Sequence, residues 1–168
     1  MSDTTTARPP LVDRPEIPAE YGVRKAKAFV DWSHVEGRLD EARVYWVATA
    51  GPGCQPHVRP VDGLYLDGVI YVGGSLETRW VRDLLENPHV TVHPDGSDDV
   101  IIVEGEAEVM AGVDADLAQQ LADASNAKFG YGMTPDSFRK GPGPISIRPR
   151  KVLAWTEFMA DPTRFRFE

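Results

Sequence analysis

The stretch LYLDGVIYVGGSLETRWVRDL, Leu64 to Leu84, decides the fold. It opens as an apolar strand, turns at Asp67-Gly68, the strongest two-residue hairpin signal in the chain, and returns as a second strand over Val69–Gly74. Ser75 then reads as the cap of a helix running to about Glu86, with Leu76, Trp80 and Leu84 on one face and Asn87-Pro88 as its stop. A strand ending in Gly73-Gly74 lets backbone amides approach a ligand, and the helix start behind it presents orphan N–H groups with partial positive charge. Ser75 and Thr78 add hydroxyls, and Arg79 adds a planar, permanently charged fork. Arg59, on the preceding strand, closes the far side if its side chain faces the same way. Phosphate suits such a junction. A capping serine followed by exposed arginines is also an everyday surface arrangement, and residue chemistry alone leaves both readings open.

Outward from this hairpin, residues 43–50 and 55–66 read as two antiparallel strands joined across a Gly-Pro-Gly turn. Downstream, residues 89–94, 99–111, 145–158 and 163–168 supply further strands, with Gly105 marking a bulge. Helices are few and short: residues 33–42, opened by Ser33 and Glu36 in capping-box relation, then 75–86 and 113–129. Hairpins outnumber strand-helix-strand units, which predicts a mainly β chain, an antiparallel barrel of six or seven strands with flanking short helices. Residues 130–144 read as a long loop without structure of its own, where Tyr131 and Phe138, with Phe129 beside it, can lid a site. Residues 1–20 are rich in Pro, Thr and charge with no apolar period, so they are predicted to be a flexible tail, and 21–168 a single domain.

Composition narrows the function classes. With 168 residues, 42% of them hydrophobic and 26% charged, the chain suits one globular domain with a real core. One cysteine, Cys54, excludes an internal disulfide and a four-cysteine metal site, and nothing basic adjoins it to activate a nucleophile. A net charge of -8 argues against nonspecific nucleic-acid binding, so any anion must be held by a local cluster. Apolar runs such as Val100–Val103 are too short to cross a bilayer, and a cytoplasmic protein that does not engage membranes is the expectation. His57 lies on a strand beside the junction, either as a donor to a ligand or as a satisfied strand residue. His89 and His93 share a strand face but not helical metal-ligand spacing, and Glu104, Glu106 and Glu108 alternate as a solvated face does.

The succession from Trp46 to Val92, WVATAGPGCQPHVRPVDGLYLDGVIYVGGSLETRWVRDLLENPHVTV, resembles the flavin-binding split-barrel superfamily typified by pyridoxamine 5'-phosphate oxidase. The resemblance covers Tyr45 to about Val109, with a second match near the C-terminus. It implies a Greek-key split barrel and a homodimer with cofactor sites at the subunit interface. By the same resemblance Arg59, Val61, Ser75, Thr78 and Arg79 surround the flavin phosphate, while Trp155 and Arg164, the latter beside Phe165, border the ring. Trp80, which can lie against the cofactor, stands where the family helix often has Lys. The oxidase's own substrate signature has no counterpart in LADASNAKFGYG, so vitamin B6 oxidation is not implied. The PHV-x-PV form and TRF-x-F ending look more like the actinobacterial branch, which includes enzymes of the 5-deazaflavin coenzyme F-420. Its long anionic tail asks for a basic groove, for which Arg79, Arg82, Lys128, Arg139 and Lys140 are candidates. The implied function is an FMN- or F-420-dependent oxidoreductase moving a hydride to or from a small organic substrate; the rival is a noncatalytic flavin- or haem-binding module.

Overall fold

The computed structural model describes residues 9–23, 26, 28–96, 99–139 and 143–168. Its elements in chain order are β1 (Leu11–Asp13), α1 (Trp32–Glu41), β2 (Val44–Ala50), β3 (Pro56–Leu66), β4 (Val69–Val72), α2 (Arg79–Glu86), β5 (His89–Pro94), β6 (Val100–Val109), α3 (Ala115–Phe129), α4 (Asp136–Arg139), β7 (Ile145–Trp155) and β8 (Thr163–Arg166). Asp67 and Gly68 both take positive φ, 49° and 81°, the mirror-image turn whose twist matches that of the strands it joins. β2, β3 and β4 therefore form a meander, and the chain returns through α2 to lay β5 against the other edge of β2. This is a Greek key. β6 follows β5, and β7 pairs with both β6 and β4, closing a six-stranded antiparallel barrel; β8 and then β1 extend the sheet from the far half of β7.

Seven of these strands are the predicted ones with shifted ends. The eighth, β1, falls in the segment read as a tail and is held to β8 by Asp13, whose carboxylate takes both Arg164 and Arg166. Residues 1–8 lie outside the described part. The barrel is filled by the inward side of each strand: Tyr45, Val47, Ile70, Val92, Val103, Ile147 and Phe165 are fully buried. On the outer face the predicted glutamate row is partly paired across to β7, Glu104 with Lys151 at 2.6 Å and Glu106 with Arg150 at 3.0 Å.

Three local readings differ. α1 begins at Trp32 with Asp31 in the cap position, so Ser33 lies inside the first turn and the reciprocal Ser33–Glu36 cap does not form. Trp32 starts the helix because its ring packs on Phe165 and Phe167, at 5.0 and 5.1 Å between centroids. Glu36 instead accepts from the Tyr65 hydroxyl at 3.4 Å. The loop after α3 carries a turn of helix, α4.

The bulge falls where Gly105 predicts it. Glu104 pairs with Lys151 but Gly105 with Pro149, leaving Arg150 as the extra residue on β7. A Cβ on Gly105 would run into the Arg148 carbonyl oxygen. Gly105→Ala should cost about 1–3 kcal/mol, as overpacking does; a urea midpoint equal to that of the parent would contradict this account of the bulge.

Candidate functional site

β3 has 11 residues and β4 only 4, and β4 pairs with Gly63–Leu66 alone. The half of β3 from Pro56 to Asp62 therefore has β2 on one side and no strand on the other. This is the split in the barrel. Register with β2 sets Thr49 opposite His57, Val47 opposite Arg59 and Tyr45 opposite Val61. Since Thr49, Val47 and Tyr45 are buried, their partners on β3 project from the same inward face, but here into an opening.

The start of α2 lies across that opening. Together they bound a cleft of about 380 Å³ lined by His57, Arg59, Val61, Thr78, Arg79 and Trp80, with Pro60 at its edge. Arg59 donates from Nε to His57 Nε2 at 3.1 Å, which in the neutral ring leaves the proton on Nδ1. Arg79 Nε stands 3.6 Å from Asp83 Oδ2, one turn along the helix, and that oxygen is buried with no hydrogen bond. The contact is longer than a hydrogen bond, so it neutralises Arg79 in part without fixing its fork.

The helix starts at Arg79 rather than Ser75. Residues 75–78 form a turn in which Thr78 N donates to Ser75 O at 2.9 Å, Thr78 Oγ1 donates to the same carbonyl at 2.6 Å, and Ser75 Oγ accepts from Glu77 N at 3.2 Å. Thr78 occupies the cap position with its hydroxyl turned away, so no side chain caps the first amides of α2. Ser75 does not line the cleft. Trp80, in the first turn of α2, packs back on the chain that precedes the turn. Its indole is 5% exposed and lies over Gly74, where a Cβ would come within 2.6 Å of the ring and 2.8 Å of Val81. Gly74 thus makes room for a side chain, whereas a Cβ on Gly73 would meet nothing within 4 Å.

Trp155 and Arg164 are not on this cleft. Trp155 ends β7 opposite Val100, its ring edge-on to Phe158 at 5.4 Å. Arg164 grips Asp13 through two bonds of 2.7 and 3.0 Å, which hold that carboxyl below its ordinary range. The proposed basic groove is not continuous. Lys128 donates to Ala42 O at 2.9 Å, Arg82 to Glu77 O at 2.6 Å, Arg139 stands 3.9 Å from Asp136, and Lys140 lies outside the described residues.

A second cavity, of about 440 Å³, adjoins the cleft and shares Val61 with it. It lies between the β3–β4 end of the barrel and the α3–α4 segment. Its one trace in the sequence is the aromatic cluster Phe129, Tyr131 and Phe138, all three of which line it.

A family profile described as pyridoxamine 5'-phosphate oxidase matches residues 32–159, well over half of the chain. The chain belongs to the pyridoxamine 5'-phosphate oxidase family. No curated protein matches it. Among solved structures, a conserved hypothetical protein of Mycobacterium tuberculosis is 17% identical with a TM-score of 0.64, covering 78% of this chain and 88% of its own. An FAD-binding protein of Mesorhizobium loti is 19% identical with a TM-score of 0.57, covering 83% and 96%. A protein described as an F420 reductase is 18% identical with a TM-score of 0.55, covering 73% and 96%. At these identities the likeness is one of fold.

Within this family member, the cleft's shape depends on the seat of Trp80. Gly74→Ala should lower stability by about 1–3 kcal/mol and alter tryptophan emission, because the indole must move. An unchanged emission spectrum and urea midpoint would mean that Gly74 does not set the position of α2.

Proposed function

We propose that this family member is an oxidoreductase that uses FMN or the deazaflavin coenzyme F-420 and transfers a hydride to or from a small organic molecule other than pyridoxamine 5'-phosphate. One observation carries the reading: in a protein of net charge -8, two guanidinium groups and a helix start with no side-chain cap face one another across a single cleft. The donor set suits a phosphate. Arg59 and Arg79 supply charge from opposite walls, and the first amides of α2 supply directed N–H groups. Asp83, beside Arg79, limits the net positive charge and favours one phosphate group over a cluster of them.

The cofactor, when bound, supplies the hydride chemistry. The chain's own part is placement. Arg59 and Arg79 hold the phosphate, the first amides of α2 orient it, and Val61 and Trp80 give apolar walls that keep water away. The fold neighbours whose names mention FAD and F420 are consistent with this assignment.

The same reading requires a second copy of the chain. Trp155 and Arg164, the ring-bordering positions of the family, stand away from the cleft of their own subunit. The outer face of β2 and β3 is available for pairing: Val58 is 49% exposed, opposite Ala48, and Pro60 lies opposite Trp46. A homodimer through this face completes the cofactor site from two chains, and such a protein works in the cytoplasm.

Titration of the purified protein with FMN and with coenzyme F-420, followed by cofactor fluorescence, tests the assignment. Arg59→Ala and Arg79→Ala should each weaken the preferred cofactor by about 1.5–3 kcal/mol, the worth of a charge-assisted bond, while Ser75→Ala changes it little. Binding of neither cofactor, or two arginine variants with parental affinity, would end the reading. Val58→Glu should give folded monomers by sedimentation at about micromolar concentration and lose cofactor affinity, since a desolvated charge opposes association. A dimer that persists would place the interface elsewhere.

A further inference from the structure

We infer that the cavity between β4 and α3 is a separate binding site for an uncharged, planar, apolar small molecule, and that this molecule is the hydride partner. The second clause rests on the oxidoreductase reading; the binding site does not. At about 440 Å³ the cavity falls in the range of small-molecule pockets and holds a two- or three-ring compound. Its floor is the barrel wall, with Leu64 and Tyr71 from β3 and β4, and its other side is α3, where Leu121 is fully buried and Ser125 is 6% exposed.

The rim is aromatic. Phe129 stacks on Tyr131 with ring centroids 5.1 Å apart and planes 11° from parallel, a surface that favours a flat guest. Arg43 backs this pair from outside, its guanidinium 4.9 Å from the Phe129 centroid and bonded to Lys128 O. The Tyr131 hydroxyl donates to Asp62 across the mouth, tying the end of α3 to β3. Gly73, with no atom near the place of its absent Cβ, leaves the strand end open on this side.

Charge selects the class. Among the described residues that line the cavity Asp62 is the one carboxylate, and no Lys or Arg is present. A carboxylate, sulfonate or phosphate entering here would be desolvated beside a like charge, with no cation among the described lining residues to meet it. The two spaces thus divide the work: the cleft at Arg59 and Arg79 takes the anionic group, and the cavity beyond Val61 takes a neutral guest.

A matched pair of probes tests this without cofactor: N-phenyl-1-naphthylamine, which is uncharged, and 8-anilinonaphthalene-1-sulfonate, the same skeleton with an anion. Titrated into the full chain, the neutral probe should bind with blue-shifted emission and at least about tenfold more tightly than the sulfonate. Ser125→Leu, which fills the cavity, should weaken the neutral probe by about tenfold or more, while Arg59→Ala leaves it unchanged. Asp62→Asn, at an exposed position, should narrow the gap by improving the sulfonate alone. Equal or tighter binding of the sulfonate by the parent, or parental affinity in a folded Ser125→Leu variant, would overturn the proposal. Should Ser125→Leu fail to fold, an unaltered gap in Asp62→Asn would overturn it as well. Loss of cofactor binding in the arginine variants bears only on the cleft, so failure of one site is read apart from failure of the other.

Discussion

The contact of the Trp80 indole with the bare backbone of Gly74 fixes the rest of the site. A buried tryptophan removes a large apolar area from water, on the order of 150–250 Å² for such a ring, and only a residue without a Cβ lets it come this close. That contact seats α2 against the open half of β3. Without it the first turn of the helix would not face Arg59, and two arginines twenty residues apart in sequence would not share a cleft. Trp80, which stands where the resemblance places a lysine, is turned to packing, and in the proposed reading the anion falls to Arg59, Arg79 and the first amides of α2.

The barrel itself follows from unequal strands. β3 outruns β4, and β7 outruns β4 on its other side, so neither long strand is fully paired across that part of the barrel. β7 resolves this by taking β8 along its far half. β3 keeps its edge open, and α2 covers the opening in part. An unpaired edge is an aggregation hazard, and Pro56 and Pro60 on that stretch reduce its capacity to accept a foreign strand.

Much of this was legible in the sequence. The Gly-Pro-Gly turn separates β2 from β3, alternating glutamates mark β6, Asp67-Gly68 fixes the β3–β4 hairpin, and Gly105 marks the bulge, because each is a local rule of backbone and side-chain geometry. The start of α2 was not legible: Ser75 has the chemistry of a cap, but its oxygens close a turn over residues 75–78 and the helix starts at Arg79. β1 was missed because Leu11–Asp13 becomes a strand only by pairing with Arg164, Phe165 and Arg166 at the other end of the chain. Arg59, Val61, Thr78, Arg79 and Trp80 line one cleft. Ser75, Trp155 and Arg164 do not join them within one chain, because a turn, the length of β7 and the Asp13 pair hold them elsewhere. The cavity under α3 is assembled from β3, β4, α3, α4 and the loops that join them, and only its aromatic rim left a mark in the sequence.

The central claim is that the β3–α2 cleft holds the phosphate of the cofactor. Nitrogen-proton NMR of the arginine Nε–H groups and backbone amides, recorded as coenzyme F-420 or FMN is added, reads it most directly. The account predicts the largest shifts at Arg59 Nε, Arg79 Nε and the amides of residues 79–81. Shifts confined to other residues, with Arg59 and Arg79 unmoved under saturating cofactor, would contradict it.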